Sequence, residues 1–567
     1  MYIIAQDGSG DFTTVQQAID AVPSGDRAPA ILLIRSGVYR ERVIVHRDNL
    51  RIIGEDPEKT IITWSACAKD PDNEGRDRGT FLSFSVLVTG RNVTVENLTI
   101  RNDAGDGSLV GQAVAVYAAG DRGTWRNCRL IAHQDTLFCG PLMPKVEADI
   151  APYSSTAECV ESVGDCPLTH SRQYFENCFI QGDIDFIFGP YRCWFESCTL
   201  HMNARGGWYT AANTPEEQPY GLIFHRCTLT GECEAGKAFL GRPWRRFART
   251  LFLECAMDDC VAPQGFRDWD DVRVITARCG EWRTRGADMT LRHPAQKRLT
   301  EEEALCVTLP EVIGGWDGWR PDQPTSTWFL CGDSTMANYP PSRSPMTGWG
   351  QKLQAQLLEN AYVENCAVCG RSSKSFIDEQ RLTWVDLCLR PGDKLVISFG
   401  HNDEKEDPLR HTDPDTTFPE YLNRYIDTAL RHGAEPILAT PIARRHFDEN
   451  GKLLATHGRY PDVIRFLAVQ RGLRWADLES ETMRLLQQSG PDDSKAYFCH
   501  VPAGYPNYPN GAADNSHLHE RGAARVAALF LHLIAGGNNQ AKSGKTMRTA
   551  SLEERTALND AEDKMIQ

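Results

Sequence analysis

The chain has 567 residues, enough for two to four domains, with 41% hydrophobic and 24% charged residues. That balance excludes a disordered chain, and a core of this size excludes a small scaffold held together by disulfides. The formal charge of −15 argues against nucleic acid as partner but leaves room for a local basic cleft that takes an acidic carbohydrate. The most apolar stretch, Val526 to Gly536, is far short of the roughly 20 residues of a membrane span, so no membrane partner is expected.

The first residues lack a basic segment followed by an apolar one, so the expected setting is the cytoplasm of a bacterial-type cell, or secretion if the native start lies upstream. The 19 cysteines are odd in number and scattered, and they read as reduced, mostly buried small hydrophobes. Cys366 and Cys369 have the spacing of a redox or zinc half-site, but no second pair stands at metal spacing.

A degenerate repeat runs through the first half. Val95–Ile100, Trp125–Leu130, Phe175–Ile180, Phe195–Leu200, Phe224–Leu229 and Phe252–Met257 each carry an apolar first position, Cys or Leu fourth, and an apolar sixth. Cys178, Cys198, Cys227 and Cys255 follow one another at 20, 29 and 28 residues. This period predicts a stacked β-solenoid with the Cys/Leu positions inward; a β-sandwich is the alternative. The step from Cys128 to Cys178 is 50 residues, which suggests an insertion, and the Pro-, Ser- and acid-rich stretch 140–171 reads as that long loop.

Near Gly314–Thr327 the texture changes and a linker is expected. Beyond it, short apolar runs at Trp328–Leu330, Lys394–Ser398 and Pro436–Ala439 alternate with amphipathic stretches such as Gly350–Glu359 and Tyr421–His432. This is βαβ texture, hence a parallel sheet covered by helices. The expected layout is one domain over 1–320, a second over 325–536, and a polar tail over 537–567 with a helix starting near Ser551.

Two acidic motifs stand out in the repeat region, His133-Gln-Asp-Thr-Leu-Phe138 and Gly182-Asp-Ile-Asp-Phe-Ile-Phe-Gly189. If the long loop is looped out, Asp135 and Asp185 become neighbours one strand spacing, about 4.8 Å, apart. Two close carboxylates do not both ionise easily, which yields an acid beside a nucleophile. Gln112 and Gln134 can offer amide donors to an oxyanion. Arg242 can keep one aspartate ionised, and Trp244 offers a flat face to a sugar ring.

These motifs, with Asp7–Ala18, Gly37-Val-Tyr-Arg-Glu41, Gly79-Thr-Phe81 and Leu240-Gly-Arg-Pro-Trp244 in order, resemble the pectin methylesterases over about Tyr2–Gly315. The resemblance implies an all-β right-handed parallel β-helix, Asp185 as nucleophile and Asp135 as the acid that then serves as base. It also implies Gln112 and Gln134 at the oxyanion, and Thr80, Gln112, Arg242 and Trp244 along the substrate groove. Family members need no metal, so no cofactor is expected. Two departures touch the groove rim: the family's Gly-Trp reads Gly265-Phe266, with Trp269 beyond, and the Gly140–Ser171 loop is longer than in compact members. A polygalacturonase or pectate lyase is the runner-up on the same fold, but the Gly-His-Gly segment and the calcium cluster these need are not found.

In the second half, Leu330-Cys-Gly-Asp-Ser-Thr-Met336 places a serine behind a strand, where a nucleophile is well exposed. Asp514-Asn-Ser-His517 supplies base and orienter. The Ser334 and Gly370 amides and the Asn402 side chain are candidate oxyanion donors. With Asn365-Cys-Ala-Val-Cys-Gly-Arg-Ser-Ser373 and Gly400-His-Asn-Asp403 between them, the serine and histidine motifs make four ordered blocks over about Thr325–Ala535 that resemble the SGNH hydrolases. Gly332–Ala337, Gly370–Phe376 and Thr440–Arg445 are similar to the rhamnogalacturonan acetylesterases. The resemblance implies an α/β/α, flavodoxin-like parallel sheet, a Ser334–His517–Asp514 triad, and O-deacetylation of pectic saccharides; relatives act on acylated xylan, lipids or thioesters. Together the halves predict an esterase that strips methyl and acetyl groups from pectin or its oligosaccharides. The alternative is a pectin-binding solenoid fused to one working esterase.

Overall fold

The computed structural model describes residues 1–23, 29–72, 74–141, 171–269, 273–357 and 361–536. The Ser551 helix and most of the 140–171 loop therefore lie outside the described residues. The chain divides into two compact units, Met1–Thr325 and Ser326–Gln567.

In the first unit each repeat is a corner. The third residue of every hexapeptide (Asn97, Asn127, Asn177, Ser197, Arg226, Glu254) has a left-handed backbone with φ between 50° and 54°. It separates two strands: Gly123–Arg126 joins one sheet and Arg129–Ile131 the next. One residue at positive φ suffices to turn the chain, and Asn tolerates that conformation better than most. Repetition of the corner builds parallel sheets of eleven, eight and six strands, a parallel β-helix rather than a sandwich.

Stacking in register places like on like. Trp125, Phe175, Phe195, Phe224 and Phe252 are cross-strand partners inside the helix, with ring centroids 5.7, 4.6, 4.5 and 4.7 Å apart and nearly parallel planes. Cys128, Cys178, Cys198, Cys227 and Cys255 form a second buried file. Among the described residues every cysteine is a free thiol; Cys366 is half-buried and Cys369 exposed.

Gly123–Arg126 pairs directly with Arg172–Glu176, so residues 140–171 interrupt the sequence without interrupting the stack. On the next coil the equivalent connection, from Gly189 to Arg192, needs only Pro190 and Tyr191. The outer face of the six-stranded sheet carries Leu87, Tyr117, Phe138 and Phe188, covered by Phe81 and Phe84. The outer face of the eleven-stranded sheet is covered by Val307, Val312 and Ile313. The beginning of the expected linker is therefore tied down: Arg172 donates to the carbonyls of Ile313 and Gly314 and pairs with Asp317.

The second unit has a five-stranded parallel sheet in spatial order Ala361–Asn365, Ser326–Gly332, Lys394–Ser398, Glu435–Ala439, Arg474–Ala476. Helices including Thr417–Arg431 and Glu520–Gly536 pack against it. The first amphipathic stretch is shorter than expected, a helix over Trp349–Leu353 and a tighter turn over Gln354–Gln356. Strand order reverses between the first strand in sequence and its two neighbours, which opens a crevice beyond their carboxyl ends. Asp333-Ser334 and Gly400-His401-Asn402 leave the sheet there.

Candidate active sites

The first site lies where the eight-stranded sheet turns into the six-stranded one. Leu137 pairs with Ile187 and Ile187 with Thr210, so Asp135, Asp185 and Trp208 hold equivalent places on three successive coils. Both aspartates have left-handed backbones, φ 67° and 51°. The Asp135 N–H donates to Ile184 O at 3.0 Å, which joins the two corners.

The two carboxyls meet different surroundings. Arg242 grips Asp185 with both arms, Nε to Oδ1 at 2.9 Å and Nη2 to Oδ2 at 2.7 Å. The guanidinium lies between two indoles, 4.0 Å from the Trp208 ring centre and 3.8 Å from that of Trp269. Asp135 is 8% exposed and its carboxyl makes no hydrogen bond to a described residue. Burial, and then the neighbouring Asp185 charge, push Asp135 well above the usual carboxyl range. Burial also raises Asp185, but Arg242 opposes it. Of the pair, Asp135 is the better proton holder and Asp185 the better anion.

Gln112 and Gln134 are bridged through their backbones on adjacent coils. Both side chains are half-buried, and their amides make no hydrogen bond to described residues. Thr80 starts a short turn over Thr80–Leu82. Asn102 pins that segment by donating to the carbonyls of Ala66, Ser83 and Val114. Trp244 packs on Phe188 at 6.0 Å and keeps part of its face exposed.

Sequence reasoning missed Trp208. The signal was available, because aligning coils by their strands puts Trp208 on the aspartate file. A grouping that a divalent ion could use, Asp106, His133 and Asp183, brings its donor atoms within 4.8 Å of one another. Both Asp183 oxygens are already engaged, by Ile184 N–H and His133 Nδ1, so His133 and Asp183 form a hydrogen-bonded brace with Asp106 beside it.

In the second unit His517 Nε2 lies 3.0 Å from Ser334 Oγ, and His517 Nδ1 lies 2.7 Å from Asp514 Oδ2. Asp514 and His517 ride on the strand Ala512–Leu518, antiparallel to Phe498–Val501. Burial works against the Asp514 anion, yet the His517 contact and the N–H groups of Ser516 and His517 pull it down to about 2. Gly370 has φ +80°, with open space where a Cβ would stand. Asn402 spends one amide hydrogen on Arg371 O at 3.0 Å and keeps the other.

Two supports were not foreseen. Asp403 is fully buried and accepts from Ser373 N and Oγ and from Thr412 Oγ1, which ties the Asn402 turn to the helix Ser373–Asp378. Arg445 donates to Asn515 Oδ1 at 2.8 Å and so holds the middle of the Asp514–His517 segment.

Comparison with known proteins assigns each half to an esterase family. The family model described as pectinesterase matches residues 1–141 and 145–309, and that of the GDSL-like lipase/acylhydrolase family matches 330–525. Pectinesterase 31 of Arabidopsis thaliana is 32% identical over 313 residues, 54% of this chain and 89% of that protein. Rhamnogalacturonan acetylesterase RhgT of Bacillus subtilis (strain 168) is 43% identical over 202 residues, 35% of this chain and 86% of that one. A solved pectin methylesterase from carrot is 27% identical, with a TM-score of 0.48, and covers 57% of this chain and 97% of its own. The chain is a carboxylic ester hydrolase that belongs to the pectinesterase family through residues 1–309 and to the GDSL-like acylhydrolases through residues 330–525.

Proposed function

We propose that the chain removes two kinds of ester from pectic saccharides, methyl esters of galacturonate in the first unit and O-acetyl groups in the second. The observation that carries the first half is the asymmetry of the aspartates, one gripped by Arg242 and the other buried with its carboxyl hydrogen-bonded to none of the described residues. In this reading an Asp185 oxygen attacks the methyl ester carbonyl, and the Gln112 and Gln134 amides receive the oxyanion. Asp135 gives its proton to the departing methoxy group, which leaves as methanol. Ionised Asp135 then takes a proton from water, the resulting hydroxide attacks the acyl carbon, and Asp185 is released with a free galacturonate. Trp244 and Thr80 line the sugar-binding groove.

In the second unit Ser334 attacks the acetyl carbonyl while His517 takes its proton, with Asp514 holding the imidazole. The Ser334 and Gly370 amides and the free Asn402 N–H receive the oxyanion. His517 returns the proton to the sugar oxygen, and water then clears the acetyl-serine. The 43% identity to a rhamnogalacturonan acetylesterase supports a pectic acceptor.

The test is methanol and acetate release from methylated, acetylated galacturonan oligomers. Asp185→Asn is expected to abolish methanol and spare acetate, and Ser334→Ala to do the reverse. Galacturonan binding without methanol from the unaltered chain would make the first unit a binding module. Acetate missing from every sample would send the second unit to another acyl acceptor.

A further inference from the structure

Behind the two aspartates the same corners bury a third, Asp183, which is 1% exposed. Its carboxylate accepts from Ile184 N at 2.7 Å and from His133 Nδ1 at 3.2 Å. Its N–H donates to His133 O at 2.9 Å, and its carbonyl accepts from Trp208 N at 2.9 Å. Asp183 thus stitches together three successive corners: His133-Gln134-Asp135, its own corner with Asp185, and Gly207-Trp208, whose ring cushions Arg242. Space between them is tight. A Cβ on Gly207 would stand 2.2 Å from Asp183 O, and one on Gly107 would stand 2.9 Å from Gln134 Cβ.

A carboxylate this buried is costly unless it is paired and hydrogen-bonded, and His133 is the side chain that can bring it a positive charge. We propose that His133 and Asp183 form an ion pair that positions the corners carrying Gln134, Asp135 and Asp185. They act through those residues without touching substrate. The proposal rests on the methyl-ester reading above.

Of the groups facing His133, Asp183 from the following coil and Asp106 from the cap of the Gly107–Val110 turn favour a charged imidazole, whereas the Asn203 amide nitrogen, 3.3 Å from the same Nδ1 at the end of Thr199–Met202, competes with Asp183 for that atom. Arg205 acts on Asp106 from further out. The Asp183 hydrogen bond, opposed by burial, leaves His133 holding its proton more tightly than a free imidazole. As pH rises, that proton leaves and Asp183 becomes an uncompensated anion next to Asp135. The wild-type alkaline fall in kcat therefore combines two steps, loss of the His133 proton and loss of the Asp135 proton.

The test is the pH–rate profile of methanol release by the full chain, with thermal melting alongside, for wild type, His133→Asn, His133→Ala and Asp183→Asn. His133→Ala and Asp183→Asn are expected to lose about a hundredfold in kcat with KM little changed, the scale of a small misplacement of reacting groups. His133→Asn, which can donate a hydrogen bond but carries no charge, is expected to lose part of the acid-side rate, as wild type does once His133 is neutral. Its alkaline fall becomes shallower, with only the Asp135 step left. A His133→Asn profile superimposable on wild type, or losses that fall wholly in KM, would overturn the proposal. An unaltered chain that releases no methanol would instead remove the reading beneath it.

Discussion

Arg242 decides which aspartate is the anion, so its removal is the most informative single change in the first unit. Arg242→Ala takes away the cation that opposes burial at Asp185, and the Asp185 pKa rises further. The acid limb of methanol release is expected to move to higher pH, and the rate at mildly acidic pH to fall by at least about a hundredfold. Asp135 gives the converse result in stability. Its folded pKa lies above the unfolded one, so its favourable contribution is full below the unfolded value and is lost as pH rises through the folded value. Asp135→Asn should therefore raise the melting temperature at neutral pH, and the gain should vanish in acid. In the second unit Asp514 is held at about 2 and stays ionised across the working range. Asp514→Asn should cost about 10⁴-fold in kcat for acetate release without adding a new acid limb. The candidate site residues each sit in a short, chemically unusual motif. Trp208 sits in none, and although Asp183 lies within the Gly182–Gly189 motif, the part either one plays emerges only when the coils are aligned.

At the scale of the element, the inward positions of the hexapeptide were legible, and its corner was not foreseen. Apolar residues at first, fourth and sixth places suit a buried strand, but a left-handed residue between them makes two strands and a corner. Asn at three of the six third positions was the available sign. The ring file inside the helix carries a corresponding prediction. Phe195 stacks on Phe175 and Phe224 and is wholly buried, so Phe195→Ala should cost about 3–5 kcal/mol, read as a lowered midpoint in denaturant. The parallel sheet of the second unit was legible from alternation of apolar runs and amphipathic stretches. Its edge strand Ala361–Asn365 was not, because its residues are only half-buried and carry a weak apolar pattern.

At the scale of the whole molecule, two compact units each hold a complete set of candidate reacting groups. Separate chains ending at Thr325 and starting at Ser326 are therefore expected to reproduce, when mixed, the methanol and acetate yields of the intact chain on oligomers. A shortfall on mixing would show that linkage on one chain matters for turnover. The division was visible in the change of texture near Gly314. The first unit runs on past that change, because the segment through Pro321 is anchored to the β-helix by Arg172 and Arg126, and the division falls after Thr325.

The passage from Gly189 to Arg192 through only Pro190 and Tyr191 makes the coil before it a natural splice point. Residues 140–171 join the same two stations, so a Pro-Tyr graft in their place should leave the stacking on either side intact. The shortened chain would then act as a matched control, and any difference in which pectin lengths it prefers would belong to the excised stretch alone.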